Sequence, residues 1–174
     1  MKLSDDDFTL FGLPQRQALD RVELDARRRA LQAEVHPDRF ASEGAAAQRI
    51  AMQWAVRVNE AYTRLKDPLA RAAYLCGLRG APVQAESNTA MPTDFLMQQM
   101  SWRESLEHAG GAADVLALSD AVARHEQDLL ATLTRHLDQA QDAAAAAAQV
   151  RALMFVARFR QDIERRLDLL DAHP

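Results

Sequence analysis

The chain has 174 residues, of which 48% are apolar, with one cysteine and a formal net charge of −4. No run approaches the roughly 18 consecutive apolar residues of a membrane span. Residues 1–7 lack the apolar stretch of a secretory leader, and the lone Cys76 excludes an intramolecular disulfide, a CxxC redox pair and a cysteine-based zinc cage. A cytoplasmic protein is therefore expected. Alanine accounts for 34 residues, and Ala, Leu and Arg far outnumber Val, Ile and Thr. An all-α fold follows, with thin cores closed by tight helix contact. Residues 1–80 carry 13 basic against 11 acidic side chains, and the remainder 8 against 14. This mild split suggests two functional surfaces, and the overall acidity argues against a nucleic-acid binder.

In chain order, residues 8–13 form a short apolar segment that stops at Pro14. Asp20 and Glu23 give a D-x-x-E start signal for a helix running to about Val35, with Leu24, Leu31 and Val35 on one stripe. Ile50, Trp54, Val58, Ala61, Tyr62 and Leu65 recur at helical spacing and predict a second long helix. Asp67 followed by Pro68 reads as cap plus first residue of a shorter helix through Leu75, ended by Gly77 and Gly80. The Gly, Pro and polar residues that follow place a linker at 81–92 between an N-terminal unit, 1–80, and a C-terminal one, 93–174. The second unit predicts three helices, the first capped by Thr93 or Asp94, the second carrying Val115 to Leu133, the third opening after Asp142 through six alanines. Short connections favour a three-helix antiparallel bundle.

Between the two long helices of the first unit stands His36-Pro37-Asp38, followed by Arg39 and Phe40. Proline fixes its own φ and moves the preceding residue out of helical geometry, so the helix must end there and a turn displays His36 and Asp38. An enzymatic use of this pair lacks support, because no nucleophile elbow or glycine-rich phosphate loop accompanies it. His108, His125 and His136 do not make an i, i+4 metal pair either. Together with Val58-Asn59-Glu60-Ala61-Tyr62, Asp67-Pro68 and Arg71-Ala72-Ala73-Tyr74, the turn resembles a J-domain, the module by which co-chaperones stimulate a DnaK-type ATPase. The resemblance implies that His36, Pro37 and Asp38 engage the chaperone, with Arg27, Arg29 and Arg39 offering positive charge to it. Glu34 stands where many J-domains have lysine, and Arg28 where an aromatic residue is usual.

The helix over 94–108 carries two apolar faces. Phe95, Trp102 and Leu106 fall within about 40° of one another on one side, while Leu96, Met97, Met100 and Glu104 gather on the other. One face suits a bundle core. The second, with Phe155 from the last helix, suits a protein partner, since methionine adapts its shape and an acid adds orientation. Asp94-Phe95-Leu96-Met97, the opening Phe8-Thr9-Leu10-Phe11-Gly12-Leu13-Pro14 and the His36 to Phe40 segment together resemble the HscB family of iron-sulfur cluster assembly co-chaperones. The resemblance implies an L-shaped, non-enzymatic protein whose J-domain meets the specialised chaperone HscA, with a general DnaK-type chaperone as the alternative. It implies a bundle that binds the cluster scaffold IscU through Leu96, Met97, Met100, Glu104 and Phe155. No cofactor, resident metal, nucleic acid or membrane is expected. Ser101 and His108 stand where the family can have glutamate, which thins the acidic part of that surface.

Overall fold

The computed structural model describes residues 2–85 and 90–172, without the side chain of Ala41. Residues 86–89 of the expected linker lie outside the described residues, among which all regular structure is helical and there is no strand. The helices are α1 (Asp7–Phe11), α2 (Arg21–Glu34), α3 (Ala45–Lys66), α4 (Pro68–Leu78), α5 (Thr93–Glu107), α6 (Ala112–Arg135) and α7 (Ala143–Asp171). A 3-10 turn (Pro37–Glu43) joins α2 to α3, and a π-helical turn (His136–Ala140) extends α6. No described helix is long and apolar enough to cross a membrane. The chain divides into two compact units, Met1–Leu75 and Cys76–Pro174.

In the first unit, Asp6 caps α1 by accepting from the backbone N–H groups of Phe8 and Thr9, and Gly12 closes it at φ 64°, a left-handed geometry that favours glycine. Phe8 and Phe11 are thereby driven into the core. The helix also carries a carboxylate inward: Asp7 is fully buried, with Arg57 Nη1 2.7 Å from Oδ1 and Arg64 Nη1 2.7 Å from Oδ2. The backbone N–H of Asp7 donates to the Tyr74 hydroxyl at 3.0 Å, and the Arg64 guanidinium lies 4.7 Å from the Tyr74 ring centre. Asp7 therefore ties α1 to α3 through its carboxylate and to α4 through its backbone N–H.

Asp20 caps α2 as expected, and α2 and α3 pair as an antiparallel hairpin in which Asp25 meets Tyr62 and Gln32 meets Asn59. Val58, Ala61, Tyr62 and Leu65 are buried along α3, but Ile50 is 55% exposed and Ala51 holds the inner position. The 3-10 turn packs against α3 in this region, so the buried direction there departs from an ideal stripe. Asp67 caps α4 through the N–H groups of Leu69 and Ala70. That helix continues through Gly77 to Leu78 and ends at Gly80, φ 78°, rather than stopping at Leu75.

In the second unit Thr93 is already helical and Pro92 occupies the cap position, so neither Thr93 nor Asp94 caps α5 through its side chain. Phe95 and Trp102 of α5, Val115, Val122 and Leu133 of α6, and Val150, Val156 and Ile163 of α7 are all buried in the core of this unit. Asp142 accepts from Ala145 N–H and starts α7, whose alanines Ala146, Ala147 and Ala152 are buried and permit close approach of α6. Arg151, 7% exposed, donates to the carbonyls of Ala90 (2.5 Å) and Val83 (2.9 Å), and so fixes both described ends of the expected linker onto α7. Cys76 is buried, and burial pushes its thiol pKa up, which keeps it protonated.

Two predictions follow from the first unit. Asp7→Asn removes the charge that compensates Arg57 and Arg64, and the partial exposure of both arginines limits the loss to about 2–3 kcal/mol. Amide hydrogen exchange should show lost protection in α1 and α3 with α6 and α7 unchanged. The second concerns acid. Burial opposes ionisation of Asp6, yet hydrogen bonds from Thr9, Phe8 and Gln15 outweigh it, while the Tyr62 hydroxyl and then Arg21 act on Asp25. Both carboxyls are held below their ordinary 3.8. Each binds a proton less readily folded than unfolded, so its contribution is complete above the unfolded value and is lost as pH falls through the folded one. The urea midpoint of the first unit should fall as pH drops from about 5 to about 3, and the Asp6→Asn, Asp25→Asn double variant should show a shallower fall.

Candidate functional site

The turn after α2 is built by its own sequence. His36 takes an extended conformation, φ −63° and ψ 126°, and heads the 3-10 turn that Pro37 begins. Its Nδ1 accepts from the backbone N–H of Asp38 at 3.3 Å and lies 3.5 Å from Asp38 Oδ2, which leaves Nε2 as the ring's donor. The side chains of His36 and Asp38 are 58% and 90% exposed. Arg39 folds back, its Nη1 donating to the Ala33 carbonyl at 3.0 Å, and so satisfies an end carbonyl of α2. A hydrogen bond of 3.1 Å from Gln32 to Asn59 braces the two helices beside the turn. His36 and Asp38 are thus held in place by neighbours that leave their outer edges open.

Along α2, Arg29 is exposed and makes no hydrogen bond or ion pair among the described residues. Arg27 lies 3.5 Å from Glu23, and a Cβ at Gly12 would sit 3.7 Å from its guanidinium. Arg28 covers the Tyr62 ring at 4.2 Å, so the position where an aromatic residue is usual holds a cation stacked on an aromatic from α3. The same Tyr62 donates to Asp25 at 2.7 Å and receives a bond from Arg21. Sequence reasoning missed this cluster. Its one visible signal was the departure at Arg28, and periodicity alone placed Tyr62 only as a core residue.

In the second unit, Leu96, Met97 and Met100 are 39%, 72% and 71% exposed, so neither α6 nor α7 covers this face of α5. Glu104 is exposed on the same helix. Ser101 is exposed, and His108 Nδ1 lies 2.9 Å from the Glu104 carbonyl, turned onto its own helix. Phe155 is half-buried. Its ring meets Phe95 edge-on at 5.7 Å and stacks with Phe159 at 6.0 Å, and the Arg103 guanidinium lies 5.3 Å from its centre. Phe155 thus belongs to the aromatic cluster of Phe95, Trp102, His125 and Phe159 as well as to the surface. Arg103 is a participant that sequence reasoning did not find, because it is a charged residue set between the two apolar stripes of α5 and belongs to neither. Among the described residues no group of three or more His, Cys, Asp or Glu could hold a metal ion.

Residues 91–164 match the family model described as the HSCB C-terminal oligomerisation domain. The chain is 52% identical to the co-chaperone protein HscB homolog of Burkholderia mallei (strain SAVP1), over 98% of this chain and 99% of that one. Its identity to the homolog of Burkholderia cenocepacia is 49%, with the same coverage. Among solved structures, the chaperone HscB from Vibrio cholerae superposes with a TM-score of 0.77 at 39% identity, covering 95% of this chain and 99% of that one. Human co-chaperone protein HscB superposes with a TM-score of 0.84 at 23% identity, covering 95% and 84%, a likeness of fold. With a relative of this identity along nearly its whole length, the chain belongs to the HscB co-chaperone family.

Proposed function

We propose that this chain is an adaptor without catalysis of its own, working in the cytoplasm. Its bundle binds an IscU-type iron-sulfur scaffold, and its His36-Pro37-Asp38 turn stimulates the ATPase of an HscA-type chaperone to which the scaffold is delivered. The observation that carries the reading is the pairing of two unlike exposed surfaces in one chain. One is a turn presenting an imidazole and a carboxylate, with the exposed guanidinium of Arg29 on the helix that leads into it. The other is an apolar face of Leu96, Met97 and Met100 left open by a bundle that already has a core. Open Leu and Met on a helix suit a partner's apolar groove, and Glu104 orients it. The Asp38 carboxylate can accept from a partner arginine, and Arg27 and Arg29 can meet an acidic surface. Linking both sites raises the effective concentration of scaffold at the chaperone. Arg39 supports this arrangement by holding the turn through the Ala33 carbonyl.

Replacing His36, Pro37 and Asp38 by alanine should abolish ATPase stimulation of a purified HscA-type chaperone while scaffold affinity stays unchanged. Stimulation of DnaK rather than HscA by the unaltered protein would instead favour the general chaperone as partner. Leu96→Ala with Met97→Ala should weaken scaffold binding by about thirtyfold in calorimetry, as for two central contacts, with no change in melting temperature. Phe155→Ala should weaken binding and also lower bundle stability by about 1–2 kcal/mol, because its ring packs on Phe95 and Phe159.

A further inference from the structure

One surface beside the turn is left unused by this reading. A cleft of about 410 Å³ opens between the end of α2, the 3-10 turn and the start of α3. Its walls are apolar: Val35, Phe40, Ile50 and Trp54, with Ile50 55% exposed. A leucine-sized side chain fits such a space, and an isoleucine that the unit's own core does not cover leaves apolar area in contact with water. The rim carries Glu34 and Glu43, both exposed and neither in an ion pair among the described residues. The opposite flank of the turn is different. There Gln32, Ala33, His36, Pro37 and Asn59 line a second cleft with no carboxylate. Thus an acid-rimmed apolar cleft and a neutral one meet at Val35 beside the turn, and no cation of α2 lines the former.

We propose that the cleft of Val35, Phe40, Ile50 and Trp54 receives an apolar side chain of the chaperone partner that is flanked by lysine or arginine, with Glu34 and Glu43 selecting that charge. The occupant follows from the rim. Two unpaired carboxylates beside an apolar floor favour a partner segment that is apolar and basic, and they penalise an acidic one. Continuity adds to this, since Glu34 and Val35 directly precede His36, and a partner bound to the turn already stands over the opening. The inference rests on the chaperone reading above and goes beyond it, because it assigns opposite charge preferences to two parts of one contact: an acidic partner surface for Arg27 and Arg29, a basic one for Glu34 and Glu43. Discrimination between related chaperones would then lie in the cleft, and stimulation itself in the turn.

The test measures ATPase stimulation of a purified HscA-type chaperone by the full chain, as the protein concentration giving half-maximal effect. Glu34→Lys with Glu43→Lys should raise that concentration about tenfold at low salt, with the gap narrowing as sodium chloride increases and the maximal stimulation retained. Ile50→Ser should raise it about fivefold with no salt dependence of the effect. Since Glu34, Glu43 and Ile50 are exposed, circular dichroism melts of all variants should match the parent. Unchanged half-maximal concentrations in both variants, or tighter stimulation by the lysine variant, would overturn the proposal. So would a concentration-dependent dimer in sedimentation that Ile50→Ser abolishes, because a second copy would then be the occupant. The outcome is separable from the function itself: loss of stimulation on replacing His36, Pro37 and Asp38 with no response to the cleft variants rejects the cleft alone.

Discussion

A proline at position 37 is the constraint from which the arrangement of the first unit develops. It offers no N–H, and its ring bars helical geometry at His36, so α2 ends at Glu34 and the chain must turn. The turn displays His36 and Asp38, brings α3 back along α2 and opens the cleft on one flank. Rigidity comes from bonds that close locally: Asp38 N–H to His36 Nδ1, Arg39 N–H to the His36 carbonyl, and the Arg39 side chain to Ala33. A surface that has already lost its conformational freedom costs less to bind, which is what a turn that has to engage a partner requires.

Two buried charges show how a chain short of large apolar residues holds its peripheral segments. Asp7 is compensated by two arginines of α3 and, with its backbone N–H on Tyr74, holds α1 to α3 and α4. Arg151 is buried without any carboxylate within ion-pair reach among the described residues, and is satisfied instead by the carbonyls of Val83 and Ala90. Carbonyl acceptors neutralise no charge, but they hold two separated points of backbone with one planar group, the geometry for which a guanidinium is suited. Arg79 acts alike on the Leu137 carbonyl. In both units an arginine provides the long-range attachment that a larger apolar contact would otherwise supply.

The bundle divides α5 between two duties. Its inner face is aromatic, with Phe95 and Trp102 locked against His125, Phe155 and Phe159. Its outer face is flexible, made of Leu96, Met97 and Met100. A stiff interior behind an adaptable exterior lets the helix present the same contour while its outer side chains adjust to a partner. Phe155 spans both regions, so a change there reports on packing and on contact together, and only Leu96 and Met97 separate the two.

Local chemistry was legible in the sequence: Asp20, Asp67 with Pro68, and Asp142 mark helix starts that the structure retains, the His36 turn follows from Pro37, and the two faces of α5 follow from the helical period. These depend on groups within about four residues of one another, so the residues themselves carry the information. The cap of α5 and the end of α4 were misjudged even at this range, because Pro92 preempts the cap position and Gly77 is tolerated inside a helix. Tertiary structure alone decided that Asp7 is a buried anchor, that Arg28 stacks on Tyr62, that Ile50 lines an open cleft while Ala51 points inward, and that Arg151 gathers the linker. Each of these is a contact whose partner stands far along the chain or on another element, and no property of the residue by itself says which of several arginines, tyrosines or carbonyls the fold will bring within reach.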